Sequence, residues 1–357
     1  MRVVIANEAQ ADELIAVGRA VHAGDPGWVP PFEASLKAEL LGHDAWTRAG
    51  GRVLPLLVED GAGRAIGRAA AFLDPRLPGV GMLGHVETED DPAVLRALLD
   101  AARPWLREQG AQQLWAPIAG GAHRFHRAML SGFEAPAFFL EPRTARWLPR
   151  DLEACGLAPV HRWGTWEVEG RALGILHERV ERAAKRADDG LVLERPDPLD
   201  PATIGRLHAL LDRVWAGHVG YVSLGPEELL ETFGGLLALV ARERTLALVV
   251  QGGQDVGLGF LYPDVIDAVR AVDGDAARFG EVLAAPRPRR CVIHTVALAP
   301  EVRGAGAPHF LWAAALRHLR DSGYESVLLA LASADALRSL ARIGPPQREH
   351  ALFAGPA

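Results

Sequence analysis

The most informative stretch of this sequence is Val296-Ala297-Leu298-Ala299-Pro300-Glu301-Val302-Arg303-Gly304-Ala305-Gly306-Ala307-Pro308. A β-compatible run precedes its small-residue turn, and an amphipathic helical pattern follows it. Small residues leave the backbone N–H groups of the turn uncovered. These groups lie at a helix N-terminus, where partial positive charge favours phosphate oxygens. Because Arg303 adds a full positive charge beside them, the stretch predicts a diphosphate site, although glycine also serves tight turns for conformational reasons alone.

The order of predicted elements occurs twice along the chain, as hairpin, strand, turn, helix, strand and helix. The first copy has its hairpin at 53–73, a strand at 80–86, a helix from Pro92 to near Gly110 and a strand at 114–118. The second copy has its hairpin at 245–262, strands at 291–298 and 326–332, and helices at 308–321 and 334–342. A chain of 357 residues is too long for one ordinary core. We therefore expect two lobes, residues 1–172 and 173–357, in an α/β (α+β) fold.

Several segments outside this repeated order also have clear patterns. Helical spacing of apolar residues predicts helices at 9–24, 175–187, 201–216 and 226–242. The segment around 125–130 is also predicted to be helical. Residues 264–290 are rich in Asp, Pro and Arg and predict an irregular insertion.

Composition limits the function classes. The formal net charge is −7, which argues against a broad surface for nucleic acid or for an anionic membrane. No apolar run approaches the roughly 20 residues of a membrane span. Cys155 and Cys291 are the only cysteines, so we expect a reducing compartment, the cytoplasm, and no metal site.

The turn and the Val-x-Leu-x-Pro pattern before it resemble the GNAT superfamily of acyl-CoA N-acyltransferases. The signature of that superfamily is Arg or Gln, two residues, Gly, one residue, and then Gly or Ala. Arg303 and Gly306 match it in register, whereas Pro308 departs from it and removes one backbone N–H that the superfamily uses for pyrophosphate. The resemblance covers motifs over about 245–355, and 348–353 looks like the final strand of a related tandem group.

The resemblance implies two tandem GNAT-like lobes, each a mixed, mostly antiparallel sheet flanked by helices. It implies that acetyl-CoA or another acyl-CoA is the donor, and that its pantetheine arm lies between two splayed strands of the C-terminal lobe. The residues implied to bind it are Val296, Leu298, Arg303, Gly304, Ala305, Gly306, Ala307 and Pro308. In the N-terminal lobe, the acidic stretch 87–92 replaces the turn and would repel a pyrophosphate. That lobe is therefore expected to lack the cofactor.

Acyl transfer requires a base for the amine and an acid for the leaving thiolate. His294 is the favoured base, with Glu301 as a second candidate, although His294 could instead be packed within a sheet. Ser333 could act as the acid through water, because the tyrosine that the superfamily commonly uses is absent from 334–343. Asp264 and Tyr262 are weaker base candidates. The resemblance places an acceptor pocket around Trp215, His218, Tyr221 and Glu228, and Tyr262 is a further candidate for substrate binding. Trp215 and Tyr221 could equally cover the core.

We interpret the chain as an N-acyltransferase that moves an acyl group, most simply acetyl, to a primary amine. The acceptor would be a small molecule or amino-acid-like, and transfer would be direct in a ternary complex. The first alternative is a degenerate tandem protein that binds acyl-CoA or a protein partner without turnover. The second is an aminoacyl-tRNA-dependent transferase, against which the acidic charge weighs. A homodimer is left open.

Overall fold

The computed structural model describes residues 1–185, 190–303, 307–333 and 343–357. These residues contain thirteen strands in one sheet. The strands are β1 (Arg2–Ile5), β2 (Arg52–Glu59), β3 (Ala65–Leu73), β4 (Val80–Thr88), β5 (Gln113–Ala116), β6 (Ala128–Ser131), β7 (Ala158–Glu169), β8 (Leu191–Glu194), β9 (Ala247–Gln251), β10 (Gln254–Pro263), β11 (Arg290–Leu298), β12 (Ser326–Ser333) and β13 (Arg348–Pro356). The predicted helix at 334–342 lies outside the described residues.

The helices pack against this sheet. They are α1 (Ala11–Val21), α2 (Glu33–Leu41), α3 (Ala45–Arg48), α4 (Pro92–Glu108), α5 (Leu148–Ala154), α6 (Gly170–Ala184), α7 (Pro201–Trp215), α8 (Pro226–Glu243), α9 (Ile266–Ala271), α10 (Phe279–Ala284) and α11 (Ala307–Asp321). Proline opens α4, α7 and α8, where a missing N–H costs no helical hydrogen bond. Within the described ranges, none of the helices is both long and apolar enough to cross a membrane.

The strand order shows that the two halves of the chain exchange their last strands. The order is β1-β2-β3-β4-β5-β13-β7-β12-β11-β10-β9-β8, with β6 paired to β13 beside this path. The C-terminal strand β13 therefore lies between β5 and β7, and β7 pairs with β12 of the second half. Counted from one edge of the sheet, the strands are β1, β2, β3, β4, β5 and β13. Counted from the other edge, they are β8, β9, β10, β11, β12 and β7, so strands at equal positions in the two halves correspond. The predicted α/β fold with mixed, mostly antiparallel strand pairing is confirmed, but the strands of both halves form one continuous sheet and not a separate sheet in each lobe, because β13 and β7 join the two halves. The boundary near residue 172 stays a prediction.

Two of the predicted elements are wrong. The segment around 125–130 is not helical, because its end forms β6 and pairs with β13. Pairing with a strand from the other end of the chain outweighs the local helical pattern. Residues 264–290 are also more regular than expected, since they contain α9 and α10, whose Val269 and Val282 pack into the core.

Candidate active site

A gap opens between β11 and β12 where their parallel pairing ends. The last paired residues are Ile293 and Leu329. Beyond them β11 stays paired with β10 as far as Leu298, whereas β12 stays paired with β7 as far as Ser333, with a register shift between Leu329 and Ala332. At this shift Leu331 has a φ of 50°, and its N–H donates to Thr165 Oγ1 at 3.0 Å. Because β11 follows β10 and β12 follows β7, the ends of β11 and β12 lie apart.

The matching place in the first half of the chain is closed. β4 and β5 pair over Val80–Met82, and the Ile118 N–H then donates to the Leu83 carbonyl at 2.9 Å. A Cβ at Gly84 would lie 2.6 Å from Ala119 Cα, so the backbone itself fills the space there. Asp91 accepts a hydrogen bond from Ala93 N–H at the start of α4. A carboxylate of the chain thus occupies the helix end that a phosphate would need.

The open gap of the second half leads into a cavity of about 1170 Å³. Both halves of the chain line it. Apolar side chains from α7, α8 and β10 form much of the wall and include Leu207, Leu211, Val214, Leu236, Val240, Leu258 and Phe260. The residues on the two sides of the gap, 293–298 and 329–333, also line this cavity. The gap and the apolar space are therefore continuous.

His294 lies at the point where the two strands separate. It is the first residue of β11 after the last pair with β12, and it lines the cavity. Its Nδ1 is 3.1 Å from Thr295 Oγ1, and its ring stacks on Phe260. Burial, and after it the charge of Arg127, lowers the pKa of His294 to about 4. The imidazole is therefore neutral at pH 7, and its Nε2 has no hydrogen-bond partner among the described residues, which suits a proton acceptor.

The other candidates for proton transfer lie in different surroundings. Ser333 ends β12 and lines the cavity. Glu301 is exposed, and its pKa is lowered by a hydrogen bond from its own backbone N–H and, after that, by its ion pair with Arg213. It is not among the described residues that line the cavity. The structure therefore brings His294 and Ser333 to one space and Glu301 to the surface.

The residues expected to bind the donor lie along the same gap. Val296, Leu298, Arg303 and Pro308 line the cavity. Arg303 donates from Nε to the Leu298 carbonyl at 3.1 Å and from Nη2 to the Val214 carbonyl at 3.2 Å. Ala307 and Pro308 are the first two residues of α11. Gly304, Ala305 and Gly306 lie outside the described residues.

Solved structures match this arrangement over the whole chain. A structure described as a tandem GNAT protein from the clavulanic acid biosynthesis pathway covers 99% of this chain and 98% of its own, with a TM-score of 0.55 and 12% identity. The chain has the tandem GNAT fold. The GNAT resemblance inferred from the turn is therefore confirmed at the level of the fold.

Two curated proteins are similar to this chain in sequence, both at low identity. Bacterial ceramide synthase of Caulobacter vibrioides (strain NA1000 / CB15N) is 23% identical over 280 residues, which is 76% of this chain and 72% of that protein. Protein YghO of Escherichia coli (strain K12) is 26% identical over 155 residues, which is 42% of this chain and 39% of that protein. No family model matches the sequence.

The predicted acceptor residues of the tandem GNAT fold divide into two groups. Trp215 and Tyr221 line the cavity, with ring centroids 6.1 Å apart. Glu228 is instead buried against Arg76 at 2.9 Å and accepts from Gly225 N–H at the start of α8. Tyr262 is fully buried, and its hydroxyl donates to the Phe139 carbonyl at 3.0 Å. The last two side chains therefore support the framework, and they are not among the described residues that line the cavity.

Sequence reasoning missed the contribution of the first half to this cavity. Residues 122–127 follow β5 and line the cavity with two histidines and two arginines. Arg127 lies 4.5 Å from the ring centroid of Trp163, which is on β7. The clustering of His and Arg in Ala122-His123-Arg124-Phe125-His126-Arg127 was a usable signal. Its proximity to His294 depends on tertiary packing, which no local pattern predicts.

Proposed function

We propose that this protein is an acyl-CoA-dependent N-acyltransferase whose single donor site is the gap between β11 and β12. The observation that supports this most strongly is that the gap is open beside His294 in the second half, whereas its counterpart in the first half is closed. Unpaired strand backbone on both sides of the gap can bind an extended pantetheine arm by main-chain hydrogen bonds. Arg303 and the start of α11 offer positive charge for the phosphates.

The proposed reaction is a direct transfer within a ternary complex. The nitrogen of a primary amine attacks the thioester carbonyl, and the C–S bond breaks as the amide forms. The proton lost by the amine passes to His294 Nε2, and the thiolate of CoA leaves and takes a proton from water or through Ser333. Holding both substrates in one cavity provides much of the acceleration.

The size of the cavity favours an acyl group longer than acetyl. Pockets for drug-sized ligands measure about 300–1,000 Å³, so a cavity of about 1170 Å³ has room for the pantetheine arm in the gap and for more than an acetyl group and a small amine beside it. The apolar walls from α7 and α8 suit a hydrocarbon chain, since burial stabilises each methylene by about 0.8 kcal/mol. Similarity to a bacterial ceramide synthase is in keeping with this, because a ceramide is itself a fatty amide.

An acyl-chain series tests this proposal. We expect CoA-thiol release with an amine panel to be faster with octanoyl- or dodecanoyl-CoA than with acetyl-CoA. Leu211→Trp adds bulk to the apolar wall and should lower the rate with dodecanoyl-CoA about tenfold or more, because the longer chain no longer fits. The same variant should retain its acetyl-CoA rate, which serves as the control for folding. If the protein binds these donors but releases thiol from none of them, the alternative of a protein that binds acyl-CoA without turnover is supported.

A further inference from the structure

Arg127 lines the cavity and is positively charged, and the aromatic and imidazole rings near it are uncharged. Its guanidinium lies over Trp163, and the His126 ring lies 5.6 Å from the same indole. Burial lowers the pKa of His126, His294 and His350, and in each case the charge of Arg127 is the second cause. All three imidazoles are therefore neutral at pH 7. Among Arg127 and these three rings, Arg127 is therefore the charged group at pH 7.

Most other arginines that line the cavity have a carboxylate partner. Arg68 lies 3.8 Å from Glu87. Arg124 lies 3.0 Å from Glu39, and Arg143 lies 2.6 Å from Asp25. Arg303 binds backbone carbonyls and is assigned above to the donor phosphates. In the described part of the chain, Arg127 alone among the lining arginines has neither an ion pair nor a side-chain hydrogen bond.

A guanidinium held in this way requires an explanation. Arg127 Nε and His126 Nε2 are buried without a hydrogen-bond partner among the described residues. Burying a charge without a partner is costly, and native structures seldom keep such groups unless a ligand or an ion satisfies them. Stacking on Trp163 covers one face of the guanidinium. It leaves the N–H groups in the guanidinium plane available, and that edge is the one that binds a carboxylate with two parallel hydrogen bonds.

We propose that Arg127 binds a carboxylate of the acceptor, so that the acceptor is an amine of the amino-acid type. Arg127 and His294 line the same cavity, and the charge of Arg127 is near enough to lower the protonation of His294. An amino acid could therefore place its carboxylate on Arg127 and its amine beside His294 Nε2. This inference rests on the proposed function and specifies its acceptor. The product would be an N-acyl amino acid.

Binding of product analogues tests the site without requiring turnover. N-dodecanoylglycine and N-dodecanoylglycinamide differ only in the carboxylate, and isothermal titration gives the affinity of each. We expect the parent protein to bind the carboxylate form about tenfold or more tightly, because the hydrogen bonds are to a charged group. Arg127→Met should bind both forms alike, and Arg127→Lys should keep part of the preference. The control is exposed Arg2→Met, which should bind both analogues with the affinities of the parent. Arg143→Met is not suitable as a control, because Arg143 forms a buried ion pair with Asp25.

Three outcomes would overturn this inference. The first is equal affinity of the parent for the two analogues, a result that needs no variant to fold. The second is an unchanged preference in Arg127→Met. The third is kinetic: if Arg127→Met lowers turnover equally with glycine and glycinamide as acceptors, Arg127 acts on the reacting carbonyl and not on the acceptor. Failure of the proposed function would give a different result from these three. The protein would then release no thiol from acyl-CoA but would still prefer the carboxylate analogue.

Discussion

His294 and Arg127 come from opposite halves of the chain and line one cavity, and their environments explain their different roles. His294 is kept neutral by burial and by the nearby positive charge, with a pKa lowered to about 4. A neutral imidazole can accept the amine proton throughout the range in which enzymes are usually assayed. Arg127 stays charged, because burial lowers its pKa only to about 9. These charge states suit the proposed roles, in which His294 accepts a proton and Arg127 binds an anion.

Replacing His294 should affect chemistry and leave donor binding unchanged. We expect His294→Gln to lower kcat on the order of 10²-fold, the usual loss when a general base is removed. Exposed His43→Gln is the matched control and should keep the parent rate. The sign of the pH effect follows from the lowered pKa. Since the pKa of His294 is lowered to about 4, the acid limb of kcat/KM in the parent should follow the acceptor amine, without a further inflection near 6.5. A parent inflection near 6.5 that disappears in His294→Gln would contradict this assignment.

At the scale of elements, the gap between β11 and β12 results from competition among strands for partners. β11 stays paired with β10 as far as Leu298, and β12 stays paired with β7 on both sides of the register shift at Leu331. The helix that follows the gap, α11, has proline as its second residue. Proline suits the first turn of a helix, but it supplies no N–H to a phosphate.

The second residue of α11 therefore offers a direct test of how the helix start contributes to donor binding. Pro308→Ala restores one backbone N–H where the GNAT resemblance implies a contact with pyrophosphate. We expect CoA to bind several-fold more tightly to this variant, since one hydrogen bond to a charged group is gained. Alanine is also a good helix former, so α11 should persist, and circular dichroism checks this. Unchanged or weaker CoA affinity would place the phosphates elsewhere.

At the scale of the whole molecule, local patterns predicted the elements better than their arrangement. Periodicity and proline positions located α4, α7 and α8 within a few residues, and the turn before α11 indicated the fold. No local pattern could show that β13 inserts between β5 and β7, because that pairing joins residues far apart in the chain. For the same reason the sequence indicated His294 but not the nearby Arg127. It also placed Glu228 and Tyr262 in a pocket, whereas both support the core.

The two halves share a topology but differ at the site. The first half fills its gap with Ile118 and Ala119 and caps α4 with Asp91, and the second keeps its gap open. The protein should therefore bind one donor molecule per chain, although it contains two copies of the same strand order. The first half instead contributes residues 122–127, including Arg127, to the wall of the cavity.

Isothermal titration with CoA tests the donor site most directly. We expect one CoA to bind per chain of the parent. We expect Arg303→Ala to bind CoA at least about tenfold more weakly, because a charged hydrogen bond to phosphate is lost. Arg206→Ala removes an arginine of α7 that pairs with Asp255, and it should bind CoA like the parent. Two CoA molecules per chain, no binding at high micromolar CoA, or an Arg303→Ala affinity equal to that of the parent would contradict the proposed donor site.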